Sequence, residues 1–390
     1  MKEKWTYRTF GEVGSFLRGK SIQKADFVEH GMPCIHYGQI HTTFGVSVDK
    51  HLSEIPLELY NKSIIASPGD VIIAITSEDL DGSCKSTAWL GNYDVAVSSH
   101  AAVFRHNLNP KFIAYYLRSN SFYAEKEKYA RGFKVMEIKP TDIARIPIPV
   151  PDANVQHSIV SELDKINELI KLKKSQLKDL DSLAESVFYD MFGNTLENEK
   201  GWQKKKLGDI CTQITDGSHN PPKCLDYSDY PMLSSKNISF GKYDYESPRY
   251  LSKEEFDVEN RRTDIKEGDI LFTIVGTVGR VCFVKSNFKP FTLQRSVAVL
   301  KPQRDLINSQ FLVYNLHSMA QLWETESKGV AQKGIYLRQL ASIPVSVPPL
   351  PLQQSFEALI GTIDLQKEHI SSSINDLETL LASRMQYWFD

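Results

Sequence analysis

IPIPVPDANVQHSIVSELD, residues 146–164, returns as IPVSVPPLPLQQSFEALIGTID, residues 343–364. Each stretch opens on a proline-rich run and passes straight into apolar residues spaced three and four apart. Proline has no N–H for a ladder and a fixed φ, so Ile146–Asp152 and Ile343–Pro351 are expected to be extended and to close a domain. The residues beyond them are expected to form long helices. In the first, Ile159, Leu163, Ile166, Ile170, Lys173, Leu177, Leu180, Ala184, Val187 and Met191 make a stripe. In the second the stripe is Phe356, Ile360, Ile363, Lys367, Ile370, Ile374, Leu377, Leu381, Arg384 and Trp388. Threes and fours sustained over about four heptads read as a coiled-coil seam, interrupted here by Lys173, Lys367 and Arg384. A helix of about 36 residues is about 54 Å long at ~1.5 Å per residue.

The doubling extends outward over the whole chain. Trp5 and Trp202 open similar segments, WTYRTFGEV and WQKKKLGDI, 197 positions apart, and Gly11 and Gly208 keep that offset. Pro68–Ile73 answers Glu267–Phe272, His100–Arg105 answers Ser296–Lys301, and Phe112–Leu117 answers Phe311–Leu316. Arg131-Gly132 answers Lys328-Gly329, and Gln156 answers Gln353. Drifts of one or two residues mark loop insertions. Matches kept in order over both halves identify an internal repeat. Within each half, GDVIIAI and GDILFTIV are β-branched apolar runs after a Gly-Asp turn, a strand signal, and PKFIAYYLRS is a short helical piece. The fold class expected is α+β, with two similar mixed α/β domains joined by two long antiparallel coiled-coil helices. Antiparallel direction follows from connectivity. Helix one delivers the chain to domain two, and helix two leaves domain two, so a pseudo-twofold relation makes them run oppositely.

Composition narrows the class. The chain has 390 residues, a net charge of −2 and 41% hydrophobic residues, so sizeable cores are affordable and wholesale disorder is excluded. Near-neutral charge counts mildly against a nucleic-acid binder, although Lys204–Lys206, Arg261-Arg262 and Lys171, Lys173, Lys174 and Lys178 form basic clusters. Such clusters are more often solvated faces than binding sites. Cys34, Cys84, Cys211, Cys224 and Cys282 are odd in number and never spaced C-x-x-C. That pattern points to reduced thiols and a cytoplasmic protein, with neither a disulfide framework nor a zinc site. No apolar run approaches the ~20 residues of a membrane span, and MKEKWTYRTF lacks a signal-peptide core.

The plan resembles the specificity subunits of type I restriction–modification systems over essentially the whole chain. The domain exits quoted above carry the resemblance, with GDILFTIVGTVGRVCFV at Gly268–Val284 and DGSHNPPKC at Asp216–Cys224. It implies target recognition domains at residues 1–152 and 200–350, with spacer helices at 153–193 and 351–390. It implies that each domain reads one half of a bipartite, asymmetric double-stranded DNA site. It also implies partners: two methyltransferase subunits that bind S-adenosylmethionine, and restriction/translocase subunits that use ATP and Mg. Met191, Phe356, Trp388 and Phe389 lie on or near a seam between only two helices, and are expected to leave apolar surface for those partners. One departure stands out. The first half has SEDLDGSC where the second has the glycine pair Gly276 and Gly279, so a different loop and a different base preference are expected there.

No catalytic site or cofactor is expected in this chain. Asn220-Pro221-Pro222-Lys223 approximates the Asn-Pro-Pro-aromatic motif of adenine methyltransferases. Lys223 cannot stack on a flipped base, however, and no glycine-rich cofactor loop precedes it, so a turn is the better reading. Gly276-x-x-Gly279 lacks the Lys-Ser/Thr of a phosphate loop. Base edges call for Arg, Lys, Asn, Gln or Ser/Thr, usually on loops beside strands. The candidates in the first domain are Tyr37, Gln39, Lys85, Ser86, Arg131 and Lys134. Those in the second are Lys236, Asn237, Arg280, Gln294, Arg295, Lys328, Gln332 and Lys333. Arg131 and Lys328 stand beside equivalent glycines, as phosphate contacts would. Gln294 and Arg295 fit internal salt bridging equally well. Two other readings remain open: the DNA-reading part of a single-chain methyltransferase or nuclease, and a two-headed protein-binding adaptor.

Overall fold

The run Val71–Ala74 is apolar throughout because its two faces meet two different cores. Val71 and Ile73 pack with Phe10, Phe104 and Phe112, while Ile72 and Ala74 pack with Ile35, Trp89 and Val97. Its counterpart Ile270–Thr273 does the same, sending Ile270 and Phe272 to one core and Leu271 to another. Successive strand residues point to opposite faces, so a strand buried on both sides has no solvent-facing position to call for a polar residue. The computed structural model describes residues 5–20, 22–132, 135–220, 222–326 and 334–390. It divides into two units, residues 1–174 with 372–390, and residues 175–371.

In the first unit the central sheet runs Gly14–Arg18, Ala101–His106, Val71–Ala74, Ser86–Trp89 and Ser47–Val48, antiparallel except for the last pair. A smaller sheet runs Ser53–Ile55, Met32–Ile35, Val95–Val97 and Ile64–Ala66, with its middle pair parallel. The proline-rich exit Pro147–Val150 is extended, and pairs with the opening strand Thr6–Thr9 in a sheet of only two strands. A missing N–H is tolerated at such an edge.

The second unit repeats this order. Cys211–Asp216, Val297–Pro302, Ile270–Thr273 and Val281–Phe283 form the antiparallel sheet. Arg249–Tyr250, Pro231–Leu233 and Thr292–Leu293 form the smaller one, again with one parallel pair. Gln203–Lys206 and Pro344–Val347 make the opening and exit pair. Both units are mixed α/β, and the repeat read from sequence is a repeat of topology.

Paired residues in the sequence prove to do paired jobs. Gln156 accepts the Asn109 N–H at 2.9 Å and donates to the Pro151 carbonyl at 2.8 Å. Gln353 accepts the Asn308 N–H at 2.8 Å and donates to the Pro348 carbonyl at 2.7 Å. Each glutamine therefore ties a helix N-cap to the exit strand from inside the core. Asp70 and Asp269 close the two Gly-Asp turns by accepting the N–H of Ser67 and of Lys266, and each pairs with a cation, Arg105 at 3.1 Å and Lys301 at 2.5 Å. A Cβ on Gly11 would sit 3.1 Å from the Ala144 carbonyl oxygen, and one on Gly208 would sit 3.2 Å from that of Ala341. That approach explains why both positions are glycine.

The long helices span Ala153–Phe192 and Leu350–Phe389. Every residue of both stripes is buried or half-buried. In the first unit Glu162 binds Arg384 and Trp388, while Lys174 meets Glu378 at 2.8 Å, so partner numbers fall as helix one advances. In the second unit Asp181 meets Lys367 at 2.6 Å and Phe188 packs on Phe356. Both sets describe antiparallel helices. Two of the polar interruptions, Arg384 and Lys367, thus hold carboxylates of the other helix.

The expected apolar surface lies elsewhere. Phe356 and Phe389 are buried, and Met191 and Trp388 are half-covered, because the helix ends turn a second apolar face into the head cores. Phe192 packs 4.6 Å from Phe311, and Phe389 packs 5.5 Å from Phe112. The leucines exposed on the helices are Leu169, Leu172, Leu183, Leu359, Leu365 and Leu380, between 45% and 61% exposed.

Replacing Gln353 by Leu strands a buried N–H and a buried carbonyl, at about 1–3 kcal/mol each before relaxation. The apparent melting midpoint of the second unit is expected to fall by roughly 5–15 °C. Calorimetry of Gln353→Leu against Gln353→Glu, which keeps the acceptor, checks this. A second test concerns acid. His106 accepts the Leu108 N–H on Nδ1, and burial pushes its imidazole down from 6.5 to about 4. The folded form therefore resists protonation, and its contribution to stability is complete above pH 6.5 and lost as pH falls toward 4. His106→Asn keeps an acceptor that does not titrate in this range, and is expected to flatten that part of the stability–pH curve.

Candidate nucleic-acid interface

At one edge of each unit, four segments are laced by the same backbone hydrogen bonds. In the first, Ile138 N–H donates to the Ile75 carbonyl at 3.0 Å and Ile75 N–H to that of His100 at 2.9 Å. In the second, Ile335 N–H donates to Ile274 and Ile274 N–H to Ser296, both at 2.9 Å. The hydroxyl of Ser98 accepts Tyr37 N–H at 2.9 Å, and that of Ser296 accepts Ser235 N–H at 3.1 Å. The result is a rim of strand ends and loops, built twice on one frame.

The side chains on the two rims differ. In the first, Tyr37 is surrounded by His36, His41 and His100 at ring-centroid distances of 4.6, 6.1 and 5.1 Å. Burial, then Lys24 and His100, hold the His36 imidazole below its ordinary value. His41 reaches the Thr76 carbonyl at 3.1 Å. Lys85 is exposed and lines the same cleft as His41. Arg131 is exposed, bridges through its backbone to Glu137, and its guanidinium lies 4.0 Å from Asp142. In the second rim Lys236, Arg280 and Arg295 are exposed. The Arg280 guanidinium donates to the Ser235 carbonyl at 3.4 Å, which joins its loop to the Ser235–Asn237 turn. Arg295 borders a pocket with His219, Tyr336 and Arg262, where Asp216 binds His219 at 2.7 Å and also Arg262.

Several candidates are engaged inside the frame. Gln39 accepts the His36 N–H at 2.9 Å and donates to Ser53 at 2.8 Å. Asn237, at the equivalent place, is 3% exposed, accepts the Ser234 N–H at 3.1 Å, and donates to Asp244 and to the Glu246 carbonyl. Both amides fold back to cap their own turns. Ser86 is fully buried within its strand, and its carbonyl accepts from Arg118 at 2.9 Å. Gln294 is half-buried, and its N–H donates to the Leu233 carbonyl at 2.9 Å. Lys134, Lys328, Gln332 and Lys333 lie outside the described residues. Sequence reasoning passed over His41 and His100, whose only signal was their nearness to Tyr37 and to the start of the HAAVFR strand. Among the described residues no group of three or more His, Cys, Asp or Glu is arranged to hold a metal. No described helix is long and apolar enough to cross a membrane.

The family model for the type I restriction modification DNA specificity domain matches this chain twice, over residues 2–181 and 199–376. The chain belongs to that family. It is 21% identical to the type I restriction enzyme EcoKI specificity subunit of Escherichia coli K12, over 70% of this chain and 62% of that one. It is 22% identical to the type I restriction enzyme MjaVIII specificity subunit of Methanocaldococcus jannaschii, over 97% of this chain and 92% of that one. The match thus spans less than two thirds of the EcoKI subunit and most of the MjaVIII subunit. The S subunit of a type I restriction–modification system from M. genitalium superposes with a TM-score of 0.55 at 14% identity, over 98% of this chain and 96% of that one. A chain from a study of type I R-M complex assembly and conformational transition gives 0.60 at 18% identity, over 99% and 97%. Likeness at these identities shows the fold. Each specificity-domain match covers one rim and reaches into a long helix.

Asn237→Ala tests the division between frame and surface. It removes one acceptor and two donors from a buried turn, and is expected to cost about 2–4 kcal/mol of stability. Arg280→Ala, at the exposed edge of the same rim, is expected to stay within about 1 kcal/mol of the parent. Denaturant titration of both variants checks the difference.

Proposed function

We propose that this chain reads DNA through both rims, each taking one half of a bipartite, asymmetric site, while its long helices dock methyltransferase subunits. One observation carries the reading: a single backbone frame occurs twice with different side chains on it. A constant frame under a changed surface suits two heads that read different bases by the same approach. Lys85, Arg131, Lys236, Arg280 and Arg295 supply the cations for phosphates and guanine edges, and Tyr37 supplies a ring at the rim. Gln39, Ser86, Asn237 and Gln294 support these positions from within. Lys134, Lys328, Gln332 and Lys333 complete the contact set proposed from sequence. The exposed leucines of the helices offer apolar surface for partner subunits. Catalysis in this reading belongs to the partners, methyl transfer to the methyltransferase subunits and ATP-driven cleavage to the restriction subunits.

The test is the methylated motif, mapped by genome sequencing with this chain and its methyltransferase partner co-expressed. Replacing residues 200–345 by the corresponding segment of a relative is expected to change one half-site and leave the other. The graft must keep an aromatic residue at position 311, since Phe192 is seated there. A change in both half-sites, or in neither, contradicts independent reading. Arg280→Ala is expected to weaken binding and lower the slope of log affinity against log salt by about 0.9, as loss of one phosphate contact does.

A further inference from the structure

The two rims differ in the loop that follows the Gly-Asp strand, and in each unit a buried side chain of a neighbouring helix meets that loop. In the second unit that side chain is Trp323. Its ring is 2% exposed, packs edge-on to Phe272 at 5.0 Å, and donates from Nε1 to the Leu316 carbonyl at 2.7 Å. The loop above it is short. Gly279 N–H donates to the Thr273 carbonyl at 3.0 Å, and Thr273 N–H to that of Arg280 at 2.9 Å. Gly276 and Gly279 have φ of +86° and +93°, and a Cβ on Gly279 would stand 2.7 Å from the Trp323 ring. Trp323 therefore fills the space from below, and the glycine makes room from above.

In the first unit it is Lys126, on the helix Asn120–Glu127. It is 4% exposed. Its ammonium donates to the carbonyls of Ser83 at 2.7 Å and Leu80 at 2.8 Å, and reaches that of Asp81 at 3.5 Å. Three carbonyls of one loop thus turn inward around one cation, with the Tyr123 ring 4.8 Å away. Cys84 N–H donates to the Ala74 carbonyl at 2.8 Å, as Gly279 does to Thr273, so both loops return to the sheet in the same way. Between those anchor points the first loop is longer, and it is further tied by Asp79, which accepts the Gly82 N–H at 2.6 Å and the Ser83 hydroxyl on its carbonyl at 3.1 Å. Burial lowers the pKa of Lys126, opposed by the nearby Cys84, Asp81 and Asp79. A buried ammonium is costly unless its donors are satisfied, and here the loop backbone satisfies them. The loop in turn has carbonyls that need this cation.

We propose that Lys126 is a positioning residue. Its ammonium fixes the backbone of the Ser77–Cys84 loop, and so fixes where Lys85 and that loop meet the DNA half-site read by the first head. The proposal rests on the DNA-reading function of the rims for its second half only. Lys126 touches no base. It acts through the loop, as Trp323 acts on the shorter loop of the other head. A buried lysine thus underlies a long loop wrapped on a charge, and a buried tryptophan underlies a short loop resting on a ring.

Two measurements on the full chain with its methyltransferase partner separate the parts. Hydrogen exchange of the 78–85 amides in Lys126→Met is expected to accelerate by roughly tenfold or more, because methionine fills the volume but donates nothing. Lys126→Arg, which can still donate to carbonyls, is expected to recover most of the protection. Exchange unchanged in Lys126→Met overturns the anchor. Competition binding with duplexes carrying single-base changes is then expected to show one half-site losing roughly fivefold or more of its discrimination, with the other unaltered. Faster exchange with discrimination intact in both half-sites overturns the positioning role. If the parent chain discriminates among no duplexes, the DNA-reading proposal fails, and the exchange result still decides whether Lys126 holds the loop.

Discussion

Each head is rooted on a helix by an aromatic ring buried in its core, Phe192 against Phe311 in one and Phe389 against Phe112 in the other. The rest of the architecture depends on this. A ring of that size seated among apolar neighbours contributes several kcal/mol, and removing it leaves a cavity that cannot collapse. Helix and head therefore share one core. The seam between the helices is completed by ion pairs rather than by continuous apolar contact, with Glu162 gripping Arg384 and Asp181 gripping Lys367. The Arg384 guanidinium holds the Glu162 carboxyl below its usual range. Such pairs select which faces meet at small net gain in stability, so the firm attachment lies at the helix ends.

The rims follow from the same economy of frame. The exit strand is zipped to the opening strand, and a buried glutamine ties it to the N-cap of the next helix. These constraints sit far from the rim loops in sequence and are identical in both units. Variation can then collect in the loops without disturbing closure. Lys126 and Trp323 show how far it can go: the longer loop rests on a buried cation and the shorter one on a buried ring.

Much of this was legible in sequence because the repeat marks positions that geometry constrains. Gly11 and Gly208, Gln156 and Gln353, and the two Gly-Asp turns stand at matching places because each meets a backbone group at close range. The helix stripes were legible for the same reason, since a seam imposes a period. Other placements were not legible, for physical reasons. Gln39 and Asn237 looked like base readers because the amide that reads adenine also caps a turn, and spacing does not tell the two apart. Ser86 looked like a loop residue, yet it belongs to a strand covered on both faces. Phe356 and Phe389 were read as lying on or near the seam and leaving apolar surface there; they are buried, because a heptad describes one face of a helix and the ends of these helices have two. Lys126 gave no signal by itself, for its partners are carbonyls, which every residue has. Only the fold, which buries its ammonium against the loop, sets it apart.

The first unit is assembled from residues 1–174 and 372–390, whereas the second is one continuous stretch, 175–371. During synthesis the second unit has all its strands before residues 372–390 have been made. The unit begun first is finished last, since its core is completed only when Phe389 arrives. For the interval of nearly 200 codons, at ≈ 5–20 residues per second, the nascent chain exposes the Phe112 and Tyr116 surface that Phe389 later covers. A chain cut just after residue 371 would carry one complete head and one that lacks Phe389, so the incomplete head is where chaperones are expected to bind.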